Sequence, residues 1–177
     1  MTNHLRVAFI LFLVAFQVDA AEDVNTALFA AINDRLSLME DVVLYKANNN
    51  IPVEDLPREQ VVLADTQIGA AEAGLNPQSV QQFFAAQIAV AKAIQYRHLA
   101  DWQSAPAVRD ADDLQTVIRP ALTALGDRIV LLLADSVNSG GGIEEADRAL
   151  FNASITVKNV SAADRDRLFD SLLVIRP

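Results

Sequence analysis

Between residues 25 and 47 the apolar residues recur at helical spacing. At about 100° per residue, Leu28, Ile32, Met39 and Val42 fall in one narrow stripe. Arg35 and Lys46 fall in that same stripe. They are eleven residues apart, which returns them to within roughly 20° of each other and sets their Cα atoms roughly 16 Å apart along a helix. Two cations therefore point where the core-facing residues point. A buried charge without a partner is costly, so something anionic should answer them. Two long side chains leaning together over that distance leave a gap the size of a small molecule.

The rest of the chain carries the same period. No run of alternating β-branched residues sits between turn residues, so strands are not expected. Six helices are predicted. The first starts at Asp23 or Asn25, either of which could cap it, weakens at Asn48, Asn49 and Asn50, and ends before Pro52. The second is capped by Asp55, with Pro57 in its first turn, and stops around Gly74. The third opens with Asn76 and Pro77 and runs through Trp102 to a stop over 103–106. The fourth starts near Asp112 or Asp113, has Pro120 as a kink or first-turn residue, and ends at Ser139 and the glycines 140–142. A short fifth helix spans about 143–152. The sixth opens with a capping box from Ser161 to Asp164 and ends near Ile175. The expected fold is all-α, one domain of about six helices over residues 21–177, with a site inside the helical bundle of a single chain.

Residues 1–20 read as an export signal. Arg6 supplies the positive charge, residues 7–16 are an unbroken apolar run too short to span a bilayer, and Val18, Asp19 and Ala20 resemble a small-x-small cleavage site. The cut falls after Ala20 or Ala21, and a periplasmic or secreted location follows, with no membrane attachment afterwards. An N-terminal anchor or a buried helix are the competing readings. Cleavage after Ala20 removes one Arg and one Asp, so the net charge stays at −9. That acidity leaves no basic face for nucleic acid. Any anionic ligand must be captured by local charge placement against the overall field.

Three further places could carry chemistry. Gln95 falls in the apolar stripe of the third helix among Phe84, Ile88, Ala91, Leu99 and Trp102. A core-facing glutamine needs hydrogen-bond partners, and it reads either as a structural tie between helices or as a site residue. Asp55, Arg58 and Glu59 cluster at a helix N-terminus, where N–H groups and the dipole attract anions, though an ordinary charged first turn looks the same. Arg119 lies on the flank of the fourth helix's apolar face, while Arg128 points away from it into solvent. The chain has no cysteine, and its two histidines are His4, in the signal, and His98, read as a surface residue. Neither a metal site nor a nucleophile–histidine pair finds support. What remains is a cationic pocket that binds and polarises a small, multiply anionic molecule without bonding to it covalently.

Arg35, Lys46 eleven residues on, and the 52–59 segment with Pro52, Asp55, Arg58 and Glu59 resemble the all-helical, AroQ-type chorismate mutases. Phe84, Gln87, Ile88 and Gln95, closed by Asp101 and Trp102, resemble their exported subclass in particular. The resemblance implies conversion of chorismate to prephenate, a step toward the aromatic amino acids, with no cofactor and no metal, in a homodimer. It implies that Lys46 and Gln95 donate to the ether oxygen, that Arg35 and Arg58 bind carboxylates, that Arg119 completes the pocket from the same chain, and that Glu59, with the backbone near Asp55, meets the ring hydroxyl. Ala91 departs from the family pattern, where a Ser or Thr hydroxyl often stands. Gln95 stands where some exported relatives have Glu. Two other readings remain on the same residues: an isochorismate pyruvate lyase on this scaffold, and a non-catalytic periplasmic helical binding protein.

Overall fold

The computed structural model describes residues 20–105, 110–139 and 141–177, with side chains from residue 24 onward. The export signal expected at residues 1–20 lies outside these apart from Ala20, as do Pro106 and Gly140. Every regular element among the described residues is helical. The order is α1 (Ala20–Ser37), α2 (Met39–Asn48), α3 (Leu56–Glu72), α4 (Pro77–Trp102), a π-helical turn (Leu114–Ile118), α5 (Arg119–Asn138), a 3₁₀ turn (Glu145–Asp147), α6 (Arg148–Ser154) and α7 (Ala162–Leu172).

The expected first helix is divided into α1 and α2 by one turn residue, Leu38. The break holds neither proline nor glycine. Ser37 Oγ donates to the Asp34 carbonyl at 2.7 Å, a back-bond that competes with the helical ladder and bends helices. Neither Asp23 nor Asn25 starts the helix, because both lie inside α1. Asn25 is instead a buried tie: it accepts from Ser136 Oγ of α5 at 2.7 Å and donates to Asp147 Oδ2 at 3.3 Å. A buried amide so placed is satisfied by tertiary partners that local spacing does not announce.

Four further helix starts are where the sequence put them. Asp55 accepts from the Arg58 N–H, Asn76 from those of Gln78 and Ser79, Asp113 from those of Gln115 and Thr116, and Ser161 from that of Asp164. Each cap satisfies donors that the first helical turn leaves open. Between α3 and α4 the chain reverses at Gly74, whose φ of +77° is left-handed. The Leu75 N–H then reaches back to the Ala70 carbonyl at 2.8 Å, closing the helix end and burying Leu75 beneath it. Pro120 is absorbed without a break. The turn before it widens, so that the Ile118 N–H reaches the Asp113 carbonyl at 3.1 Å, and α5 starts with the proline in its first turn. The short helix before α7 starts later than expected, at Arg148, after the 3₁₀ turn.

Packing sets α1 against α5 and α6, α3 against α4 and α5, and α4 against α2 and α7. Leu28, Ile32, Phe84, Ile94, Ile129 and Leu133 form the centre, all buried. Phe29 of α1 meets Phe151 of α6 edge-on at 5.2 Å, and Phe151 meets Phe169 of α7 at 5.4 Å. Helix α4 is covered on two sides, and its buried arc joins Phe83, Gln87, Val90, Ile94 and His98 to Phe84, Ala91 and Gln95 of the stripe expected from spacing, while Ile88, Leu99 and Trp102 of that stripe are half-buried. His98 is not a surface residue: it is 2% exposed, with its ring 5.5 Å from that of Trp102. Helix α4 also packs against α7. There Arg97 donates to Asp164 Oδ2 at 2.5 Å and to the Asn159 carbonyl at 2.6 Å.

Candidate active site

The helices enclose a cavity of about 150 Å³, and all seven predicted site residues line it. Arg35 comes from α1, Lys46 from α2, Asp55 from the connector, Arg58 and Glu59 from the first turn of α3, Gln95 from α4 and Arg119 from the start of α5. The walls between them are apolar: Val42, Val53, Val62, Ile88, Leu114 and Leu122 among others.

The floor is buried and positive. Arg35 and Lys46 are each 6% exposed. Among the described residues no side chain supplies the anion that should answer them. Arg35 Nη1 donates to the neutral amide oxygen of Gln87 at 3.2 Å, and the guanidinium carbon lies 5.7 Å from the centre of the Phe84 ring. Its Nε has no protein partner. Lys46 Nζ donates to the Val53 carbonyl at 2.5 Å. Among the described residues neither has a carboxylate within ion-pair distance. The cost shows in their acidity. Burial, with Arg58 adding to it, lowers the Arg35 pKa to about 10. Burial also pushes the Lys46 ammonium below its ordinary value. Asp55 opposes that shift and Arg119 adds to it.

Gln95 joins this floor, 4% exposed. Its Nε2 donates to the Ala91 carbonyl one turn back at 3.2 Å and lies 3.7 Å from Met39 Sδ, while its Oε1 has no partner. The half-satisfied amide shares the cavity with the Lys46 ammonium. Its idle atom is the acceptor oxygen, and its N–H groups are turned to Ala91 and Met39.

The rim is mixed in sign. Arg119 Nη2 pairs with Asp55 Oδ2 at 2.8 Å, and its Nη1 donates to Gln115 at 2.7 Å. Glu59 pairs with Lys92 at 3.1 Å, a partner that spacing alone did not show. Arg58 has no carboxylate partner among the described residues and donates to Thr123 Oγ1 at 3.4 Å. Thr123, Asp65 and Asp127 also border the opening and were not singled out in the sequence. The connector over the cavity is pinned by Lys46 to Val53 and by Tyr96, whose hydroxyl donates to the Glu54 carboxylate. Position 91 brings no hydroxyl to the wall, as Ala91 implies.

Such a site can hold a small dianion. Three cations, Arg35, Lys46 and Arg58, line the cavity with no carboxylate at ion-pair distance among the described residues, and the fields of the two buried ones are less screened than in water. The Lys46 ammonium can polarise an oxygen beside it, and Gln95 can join it once its Nε2 turns from Ala91 and Met39 into the cavity. No group of three or more His, Asp or Glu side chains able to hold a metal ion occurs among the described residues.

Comparison with known proteins gives a consistent result. The family model of chorismate mutase type II matches residues 19–96, which include every predicted site residue except Arg119. A monofunctional chorismate mutase from Enterobacter agglomerans is 36% identical over 154 residues, 82% of this chain and 80% of that one. A secreted chorismate mutase from Yersinia pestis is 35% identical over 164 residues, 90% of this chain and 85% of that one. The crystal structure of the secreted Yersinia pestis enzyme superposes with a TM-score of 0.78 at 33% identity, covering 84% of this chain and 96% of that one. A chorismate mutase from Burkholderia thailandensis superposes with a TM-score of 0.70 at 29% identity, covering 85% and 97%.

Proposed function

The chain belongs to the type II chorismate mutase family, and from that premise we propose how its cavity carries out the reaction. The enzyme is an isomerase that converts chorismate to prephenate. The substrate carries two carboxylates and an enol ether. A C–O bond breaks and a C–C bond forms in one concerted step, so no nucleophile and no proton transfer is required. Catalysis must come from holding the chair-like reactive conformer and from stabilising the charge that grows on the ether oxygen.

The observation that carries the assignment is the pair of buried cations, Arg35 and Lys46, neither with a carboxylate at ion-pair distance among the described residues. Arg35 and Arg58 hold the carboxylates, bidentately where the fork fits. Lys46 Nζ and Gln95 Nε2 converge on the ether oxygen. Lys46 keeps two N–H groups beyond the one given to Val53, whereas Gln95 must turn its Nε2 from Ala91 and Met39 toward the ether oxygen. Arg119, held by Asp55 and Gln115, closes the rim over the substrate from within the same chain. Glu59 and the backbone near Asp55 receive the ring hydroxyl.

Residues 1–20 act as a cleavable export signal, cut after Ala20 or Ala21, and residues 21–177 form the catalytic domain, working in the periplasm or outside the cell. The 35% identity to a protein named a secreted chorismate mutase supports this. N-terminal sequencing of the exported protein tests it. The active species is a homodimer, which light scattering on the purified chain tests. The pyruvate lyase and the non-catalytic reading are not favoured, because the relatives above are named as mutases.

The test of function is direct. Purified mature protein is incubated with chorismate, loss of substrate absorbance is followed, and the product is identified. Prephenate is expected. Pyruvate released from isochorismate in its place, or a folded but inert protein, would overturn the reading.

A further inference from the structure

Gln87 has no part in the reaction described above, although the sequence pattern of Phe84, Gln87 and Ile88 marked it. It stands on α4, one turn before Ala91, and is fully buried at 0% exposure. Its Oε1 accepts from Arg35 Nη1 at 3.2 Å. Its Nε2 has no protein partner. The orientation is set by chemistry, since only the oxygen of an amide can face a guanidinium donor. Among the described residues this is the hydrogen bond that fixes the Arg35 side chain. Its other neighbours are the Phe84 ring at 5.7 Å and the repelling charge of Arg58.

An amide buried with half its capacity idle lowers stability. Two commoner choices would avoid that. A leucine would fill the space without polar atoms, but would leave Arg35 unheld. A glutamate would hold Arg35 in a buried ion pair, but would cancel its charge. The neutral acceptor does what neither can: it fixes the guanidinium and leaves its charge intact.

We propose that Gln87 is the positioning residue for Arg35, its carbonyl oxygen anchoring the guanidinium to α4 while its neutrality keeps the positive charge available to a substrate carboxylate. This rests on the reading that Arg35 holds a carboxylate. Because that contact exists in both the bound substrate and the transition state, its loss raises KM and spares kcat.

Three variants and one combination test the idea by steady-state kinetics and thermal melting: Gln87→Glu, Gln87→Leu, Arg35→Ala and the Gln87→Leu/Arg35→Ala double variant. Gln87→Glu should melt at or above the wild-type temperature yet show KM raised about tenfold or more, the scale of one charge-assisted hydrogen bond, with kcat within about threefold. A purely structural glutamine predicts instead that activity follows stability. In the double variant, KM should match that of Arg35→Ala alone, because Gln87 acts through Arg35. The proposal is overturned by a folded Gln87→Glu enzyme with KM within about twofold of wild type, or by additive effects in the double variant. The double-variant comparison decides the matter if Gln87→Glu does not fold. An unchanged KM in Arg35→Ala overturns the carboxylate reading, and this proposal with it. A raised KM there combined with additivity overturns this proposal alone.

Discussion

Replacing Lys46 by methionine separates catalysis from stability. The side chain keeps its unbranched stem and loses its terminal atom, and with it the charge. In the free enzyme Lys46 Nζ is buried, donates to the Val53 carbonyl at 2.5 Å, and has no carboxylate within ion-pair distance among the described residues. If about half a charge develops on the ether oxygen roughly 2.9 Å away, an effective dielectric of about 20 gives ~3 kcal/mol of transition-state stabilisation. That corresponds to about 10² in kcat, and deletion of a single oxyanion donor costs about 10²–10³. Stability should respond quite differently. Orphaning the Val53 carbonyl costs about 1–3 kcal/mol. Removing a desolvated charge returns an amount of the same order. The two nearly cancel, so the melting temperature should move by no more than about 4 °C in either direction. The assay pairs chorismate turnover, with prephenate identified, against a thermal melt of the same preparation. A folded Lys46→Met enzyme with kcat within about threefold of wild type would refute the placement of Lys46 on the breaking bond.

The pH profile follows from the same residues. Gln95 donates without needing a proton, so kcat/KM should stay flat between mildly acid and neutral pH, and a steep fall there would count against Gln95. At alkaline pH activity should fall as Lys46, whose pKa burial lowers, gives up its proton earlier than an ordinary lysine. Exchanging it for arginine should move that limb to higher pH. Arg119→Ala removes a charge-assisted donor at the rim and should reduce kcat/KM about 10–100-fold. Full activity in that variant would show that an arginine from a partner subunit, or from elsewhere in the chain, does the work. Asn76→Ala removes the acceptor for two N–H groups at the start of α4 and should destabilise the fold by about 1 kcal/mol with KM unchanged, as denaturant titration beside kinetics would show.

The parts of this fold that were legible in the sequence are those set by local chemistry. Asp55, Asn76, Asp113 and Ser161 mark helix starts because a short oxygen-bearing side chain at that position binds its own backbone two or three residues on. Arg35 and Lys46 were legible as inward-facing because each lies on the apolar face of its own helix, with Leu28 and Ile32 on α1 and with Met39 and Val42 on α2, although the break at Leu38 was not foreseen. What escaped depended on distant partners. Asn25 looked like a cap, yet it answers Ser136, 111 residues away. His98 looked exposed because its own helix gives no hint of what the rest of the bundle lays over it. The pairings that shape the cavity, Arg35 with Gln87, Glu59 with Lys92 and Asp55 with Arg119, span 52, 33 and 64 residues. The divided first helix is a further case. Ser37 carries a reason for a bend, but the same residue sits harmlessly in many helices when its hydroxyl turns to solvent.

The central claim is that the protein leaves its buried cations unpaired so that a substrate dianion can pair them. A crystal structure with a bound, unreactive dianionic mimic of the transition state tests this most directly. The account predicts one carboxylate on Arg35 or Arg58 within hydrogen-bond distance, and the ether oxygen held between Lys46 Nζ and Gln95 Nε2. A mimic seated at the rim among Arg119 and Thr123, with Arg35 still bound to Gln87 alone and Lys46 to Val53 alone, would contradict it.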